Sequence, residues 1–162
     1  GTDLKPWVKK GLLKFYNQRP TSYGLEFHLI SSFRAIEDLK PDAVIIDPIS
    51  NLGAIGSLLD VKTMLTRVID HLKNKKITTL LLSLTTGGDP QESTEEGISS
   101  LADTWLILRD SEIRGMRARR IFVLKSRGMA HSNKIYEFKF SDKGIDILDF
   151  QGGTVGESNR RG

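Results

Sequence analysis

The chain has 162 residues, a net charge of +4, 38% hydrophobic and 27% charged residues, and no cysteine. That length carries one domain with a sizeable core, and the lack of thiols excludes disulfides, thiolate catalysis and cysteine metal sites. The longest apolar runs, such as AVIIDPI and TTLLLSL, fall far short of the ~20 residues that cross a bilayer. Residues 1–11 are charged and polar and form no signal peptide, so the expectation is a cytoplasmic protein with no membrane partner.

Taken in chain order, GLLKFYN (11–17) alternates and predicts a strand with Leu13 and Phe15 on one face. Leu25, Leu29, Phe33 and Ile36 recur at helical spacing, which predicts a helix over 25–39 that Pro41 stops. AVII (43–46) suits a strand buried on both faces of a parallel sheet, and it ends at Asp47. Leu58, Val61, Leu65, Val68 and Leu72 predict a second helix, capped by Ser57. A second buried strand follows over 77–86, then the polar loop GGDPQESTEEG. From Thr104 the texture changes to a meander: TWLILRD, ARRIFVLKS, KIYEFKF and GIDILDF, with hairpin turns around Gly115 and at SDKG. QGGTVGESNRRG (151–162) has the composition of a disordered tail. The order predicts an α/β core with an antiparallel extension at one edge.

Three constellations carry candidate chemistry. Asp47 closes an apolar strand, as in a magnesium site of the Walker B type, where a carboxylate at the mouth of the sheet holds Mg²⁺ directly or through water. The plain alternative is a helix cap. A phosphorylatable Asp of the receiver type fits less well, because LLKFYNQRP supplies no acidic pair. Lys125 and Arg127 alternate on an extended segment and would share a face; Gly128 permits a sharp turn, and His131 follows in the loop. Such a pair suits phosphate oxygens, the Arg as a planar fork and the Lys as a point charge. The plain alternative is two surface cations. Ser99 and Ser100 are adjacent hydroxyls after an acidic loop; without context they are surface or capping residues. His28 and His71 lie on helices without partners at ligand spacing and are read as structural.

PDAVIIDPISNL, ISSLADTWLILRD, EIRG, VLKSRGMAHSN and FSDKGIDI together resemble the KaiC-type branch of the RecA-like ATPases, over about residues 12–147. The stretch from Ser99 to His131 is the most specific part. The resemblance implies a partial RecA-like P-loop NTPase core over 1–150, with a mostly parallel sheet flanked by helices and an antiparallel carboxyl-terminal extension. It implies a hexameric homo-oligomeric ring with ATP and Mg²⁺ between subunits. Asp47 then acts on one side of the nucleotide, and Lys125 and Arg127 reach it from the neighbouring subunit. Ser126, Met129 and His131 fall at nucleotide-contacting positions. Arg119 and Asp142 match more loosely, on the phosphate and base sides. Ser99 and Ser100 fall where circadian members autophosphorylate a Ser–Thr pair.

The family's phosphate-binding loop, G-x-x-x-x-G-K-[ST], does not occur in the sequence, nor do its tandem catalytic glutamates; Glu95 and Glu96 lie in the late loop. The expectation is therefore a carboxyl-terminal portion of such a domain, inactive by itself and prone to pair with a second copy. Two other functions are considered: a nucleic-acid-binding RecA-like module and a scaffold for regulatory proteins. The first is disfavoured, because no base-stacking aromatics interleave with RGMRARR.

Overall fold

The computed structural model of the chain describes residues 3–84, 100–113 and 116–149. They divide into two compact units, one of Trp7–Ala102 and the other of Gly1–Pro6 with Asp103–Gly162. Parallel pairing in the first and antiparallel pairing in the second make this a mixed α/β chain, as a partial RecA-like domain requires. Among the described residues no helix is long and apolar enough to cross a membrane.

The first unit is built on a two-stranded parallel sheet, β1 (Ala43–Ile46) and β2 (Thr78–Leu81), in the register Ala43↔Thr78 to Ile46↔Leu81. A short helix α1 (Lys5–Lys9) precedes it. Helix α2 (Leu25–Leu39) spans the predicted range and ends as Lys40 turns left-handed (φ 47°) before Pro41, its N–H donating to the Ile36 carbonyl at 2.8 Å. Helix α3 (Leu58–Asn74) starts at a capping box. The Ser57 hydroxyl accepts from the Asp60 N–H (3.2 Å), and the Asp60 carboxylate accepts from the Ser57 N–H (3.3 Å).

The periodic positions of the two helices meet in one cluster. Leu25, Leu29 and Ile36 of α2 join Val61, Met64, Leu65, Val68 and Leu72 of α3, with Ile49 and Leu52 of the 3-10 turn Ile49–Ala54. Val44, Ile46 and Leu81 pack against it from the sheet. Val61, Leu65, Val68 and Leu72 are essentially fully buried, each contributing roughly 1.5–3 kcal/mol.

Two expectations need correction here. The segment 13–19 forms no regular structure: no described strand lies beside it, so its backbone has no ladder to join, and Leu12, Phe15 and Tyr16 stand exposed. The strands β1 and β2 are buried on one face only. Val44, Ile46 and Leu81 turn to the helices, while Ile45 and Leu80 are 66% and 49% exposed on the other side. Residues 85–99, with the polar loop and the end of the predicted 77–86 strand, lie outside the described residues, as does the tail 150–162.

The second unit is an antiparallel meander in the order β3 (Thr104–Ile113), β4 (Met116–Ser126), β5 (Tyr136–Ser141) and β6 (Gly144–Asp149). All four predicted strands are present. Ile113 pairs with Met116, so the β3–β4 connection is the two residues 114–115, which lie outside the described residues. Asp142 and Lys143 make the other tight turn, with Gly144 at φ 135°. One irregularity matters for function. Trp105 pairs with Lys125 but Leu106 pairs with Val123, which leaves Leu124 as an extra residue in β4.

Candidate functional site

Asp47 stands at the carboxyl end of β1, followed by the cis peptide to Pro48. The chain then turns through Ile49–Ala54, held to the end of β2 by the Ile49 N–H donating to the Leu82 carbonyl (2.8 Å). The Asp47 side chain is exposed and, among the described residues, takes no hydrogen bond or ion pair. An open hard-oxygen donor at the mouth of a parallel sheet fits Mg²⁺, which keeps most of its shell as water and substrate phosphate. Among the described residues no group of three His, Asp or Glu is placed to hold a metal.

Lys125 is in the last paired stretch of β4, opposite Trp105. Arg127 lies just past the strand, where the backbone bends. The assigned strand ends between them, at Ser126. The Arg127 N–H still donates to the Asp103 carbonyl (2.8 Å), which carries the β3–β4 ladder one step further. Its guanidinium is exposed and, among the described residues, makes no ion pair or hydrogen bond. Gly128 follows at φ 74°, the left-handed turn expected of it. The Ser126 hydroxyl is 2.9 Å from the Thr104 hydroxyl on the paired strand.

The loop beyond is braced at its far end. The Lys134 N–H donates to the Ser132 hydroxyl (3.1 Å), which also lies 3.2 Å from the Tyr136 hydroxyl at the start of β5. His131 Nδ1–H donates to the Ser132 carbonyl (3.2 Å). Met129 is 64% exposed. One segment thus presents Arg127, Met129 and His131 together.

Arg119 and Asp142 belong to the sheet. Arg119 pairs with Asp110 and Phe138 in register, and its guanidinium lies 5.1 Å above the Phe140 ring. Asp142 is exposed in the β5–β6 turn, two residues beyond Phe140. The neighbouring Arg117 pairs with Asp110 at 2.9 Å. Several arginines of the basic stretch are therefore engaged within the meander. Ser100 is exposed in the turn that leads to β3; Ser99 lies outside the described residues. Both helical histidines are structural. His28 is buried, with Nε2–H donating to the Pro20 carbonyl (3.0 Å) and Nδ1 3.0 Å from the Gln18 amide. His71 stacks on Phe33 (4.4 Å between centroids), with Nε2 3.5 Å from Glu37.

The sequence reading missed Thr104 and Phe140, the partners of Ser126 and Arg119. The Thr104 pairing depends on the extra residue in β4. The Phe140 contact follows from the meander register, which the turn at SDKG makes countable.

Comparison with known proteins agrees with these motifs. Residues 1–151 match the family model described as "ATPase: KaiC". The chain is 46% identical to the circadian clock protein KaiC2 of Synechocystis sp. over 151 residues, 92% of this chain and 27% of that protein. It is 36% identical to the circadian clock oscillator protein KaiC of Synechococcus elongatus, over 92% of this chain and 29% of the relative. The figure is 33% for the circadian clock protein KaiC3 of Synechocystis sp., over 91% and 29%. The chain thus spans less than a third of the length of the curated relatives it matches. A match across nearly the whole chain, over the stretches that carry Asp47 and Lys125 to His131, settles the family: this chain belongs to the KaiC ATPases.

Proposed function

We propose that the chain is a working part of an ATP-hydrolysing ring, in which ATP lies between subunits and is contacted from both sides. On one side Asp47 would hold Mg²⁺ through water, as suits an exposed hard-oxygen donor at the end of a parallel strand. On the other side Lys125 and Arg127 of the neighbouring subunit neutralise the charge that develops as the terminal phosphoryl group leaves. Met129 and His131 contact the same nucleotide, with Ser126 beside them on the strand rather than at the nucleotide, Arg119 toward its phosphates and Asp142 toward its base. The ring is a homo-hexamer in the cytoplasm, open to regulatory protein partners. Ser99 and Ser100 are autophosphorylation sites: the serine oxygen would take the γ-phosphoryl group as its bond to ADP breaks, and the hydroxyl proton would pass to solvent.

The observation that carries this reading is Arg127: an exposed guanidinium, unpaired among the described residues, launched from a strand end whose backbone is fixed. Because G-x-x-x-x-G-K-[ST] does not occur in these 162 residues, the chain alone lacks most triphosphate donors and is expected not to bind ATP tightly.

The test uses the ring protein that carries this segment together with a phosphate-binding loop. Asp47→Ala and Arg127→Ala should each lower turnover by about 10³-fold or more. Mixing the two inactive proteins should restore part of the activity, because some interfaces then combine an intact Asp47 with an intact Arg127. Failure of mixed rings to recover, with subunit exchange demonstrated, would overturn action in trans.

A further inference from the structure

We propose that Thr104 and Ser126 are positioning residues, a hydroxyl clamp that fixes where Lys125 and Arg127 emerge; the catalytic part of this inference rests on the trans reading above. Four features converge on the end of β4. The extra residue Leu124 shifts the register, so that Lys125 falls opposite Trp105 and Ser126 opposite Thr104. Bulges re-aim side chains in this way. The two hydroxyls then meet at 2.9 Å across the ladder. The next backbone bond, Arg127 N–H to the Asp103 carbonyl at 2.8 Å, closes the ladder beyond them. Gly128 at φ 74° then turns the chain away.

The clamp sits between the two cations in sequence and opposite the start of β3 in space. Without it the register could slip back by one residue, since Leu124 is the only excess. Restoring uninterrupted pairing would put Lys125 opposite Thr104 and move every side chain beyond the bulge to the other face. The Ser126 hydroxyl, expected at the nucleotide, is thus engaged within its own sheet and acts through its neighbours. A pair of hydroxyls is suited to this task because each is both donor and acceptor, so the bond forms in either direction.

The experiment uses the same ring protein, with Thr104→Val, Ser126→Ala, the double variant, and the hydroxyl-retaining Thr104→Ser. Two quantities are read: steady-state ATP turnover, and backbone hydrogen exchange of peptides covering 123–131. Thr104→Val and Ser126→Ala should each lower kcat by about tenfold with KM for ATP little changed, the signature of a misplaced group. Exchange at the Arg127 amide should rise roughly tenfold. The double variant should be no worse than either single one, and Thr104→Ser should restore both readouts. Unchanged exchange in Thr104→Val overturns the clamp. Faster exchange with full turnover overturns its positioning role and leaves a purely structural bond. Arg127→Ala separates the two readings: if that variant turns over ATP normally, the trans assignment fails, whereas the clamp fails if Arg127→Ala is inactive and Thr104→Val is fully active with unaltered exchange.

Discussion

Gly56 stands just before the α3 cap, where the chain passes the first residue of α2. A Cβ built there would run into Leu25 Cδ1, and Leu25 is itself a buried member of the core. Gly53, three residues earlier in the 3-10 turn, has open space around its own Cβ direction. The two glycines therefore separate close approach from mere flexibility. Gly56→Ala should destabilise the fold by about 1–3 kcal/mol through displacement of Leu25. Gly53→Ala should be close to neutral, or slightly stabilising through the unfolded chain. Urea titration of both variants followed by circular dichroism checks this; equal effects would mean that the Leu25 contact is not what requires Gly56. The same distinction applies at Gly128, where no atom crowds the Cβ direction but φ 74° itself disfavours a side chain.

At the scale of elements, α2 and α3 are tied at their ends by Glu37, whose carboxylate is 2.8 Å from Lys75 and 3.5 Å from His71. The Lys75 hydrogen bond, aided by its charge and those of His71 and Lys40, holds the Glu37 carboxyl below the ordinary glutamate range against a smaller opposing effect of desolvation. A depressed carboxyl stabilises the folded chain above its unfolded value, about 4.3, and loses that contribution as pH falls through the folded value. Glu37→Gln should therefore lower the urea midpoint slightly at pH 7, and the gap to the parent chain should close as pH falls through the folded value. A gap that persists at acid pH would place the effect in packing. These helices were fully legible in the sequence because their apolar spacing and the Ser57 cap both report local geometry. The segment 11–17 was not, because alternation shows only that a strand would fit, while its formation depends on a neighbour to pair with. The meander was countable from its tight turns, yet the count goes wrong at Leu124. Outward from residues 114–115, uninterrupted pairing puts Thr104 opposite Lys125; the bulge, which nothing local in VLKS announces, puts it opposite Ser126. The candidate site residues were named through family motifs, and the Thr104–Ser126 hydroxyl contact was not.

For the molecule as a whole, each unit leaves apolar surface open. In the first, Ile45 and Leu80 lie side by side in register on the face of β1–β2 that the helices do not cover. Parallel sheets are ordinarily covered on both faces, so this face is built for contact with further protein. In the second, Leu106, Leu108, Phe140, Ile145 and Ile147 fall on one face of the meander by register, each 47–64% exposed. Exposed apolar faces of this kind favour association, so the chain should bury them against other copies. Light scattering over a rising concentration series should therefore show a mass above that of the monomer. Ile45→Lys with Leu80→Lys places two charges on a surface left exposed among the described residues, so it should reduce the association while circular dichroism stays unchanged. If the double variant associates as strongly as the parent chain, the open face of β1–β2 is not the contact, and the equivalent pair Phe140→Lys with Ile147→Lys tests the meander. A chain that remains monomeric throughout would show that neither face is sticky enough to associate by itself, which would overturn this prediction.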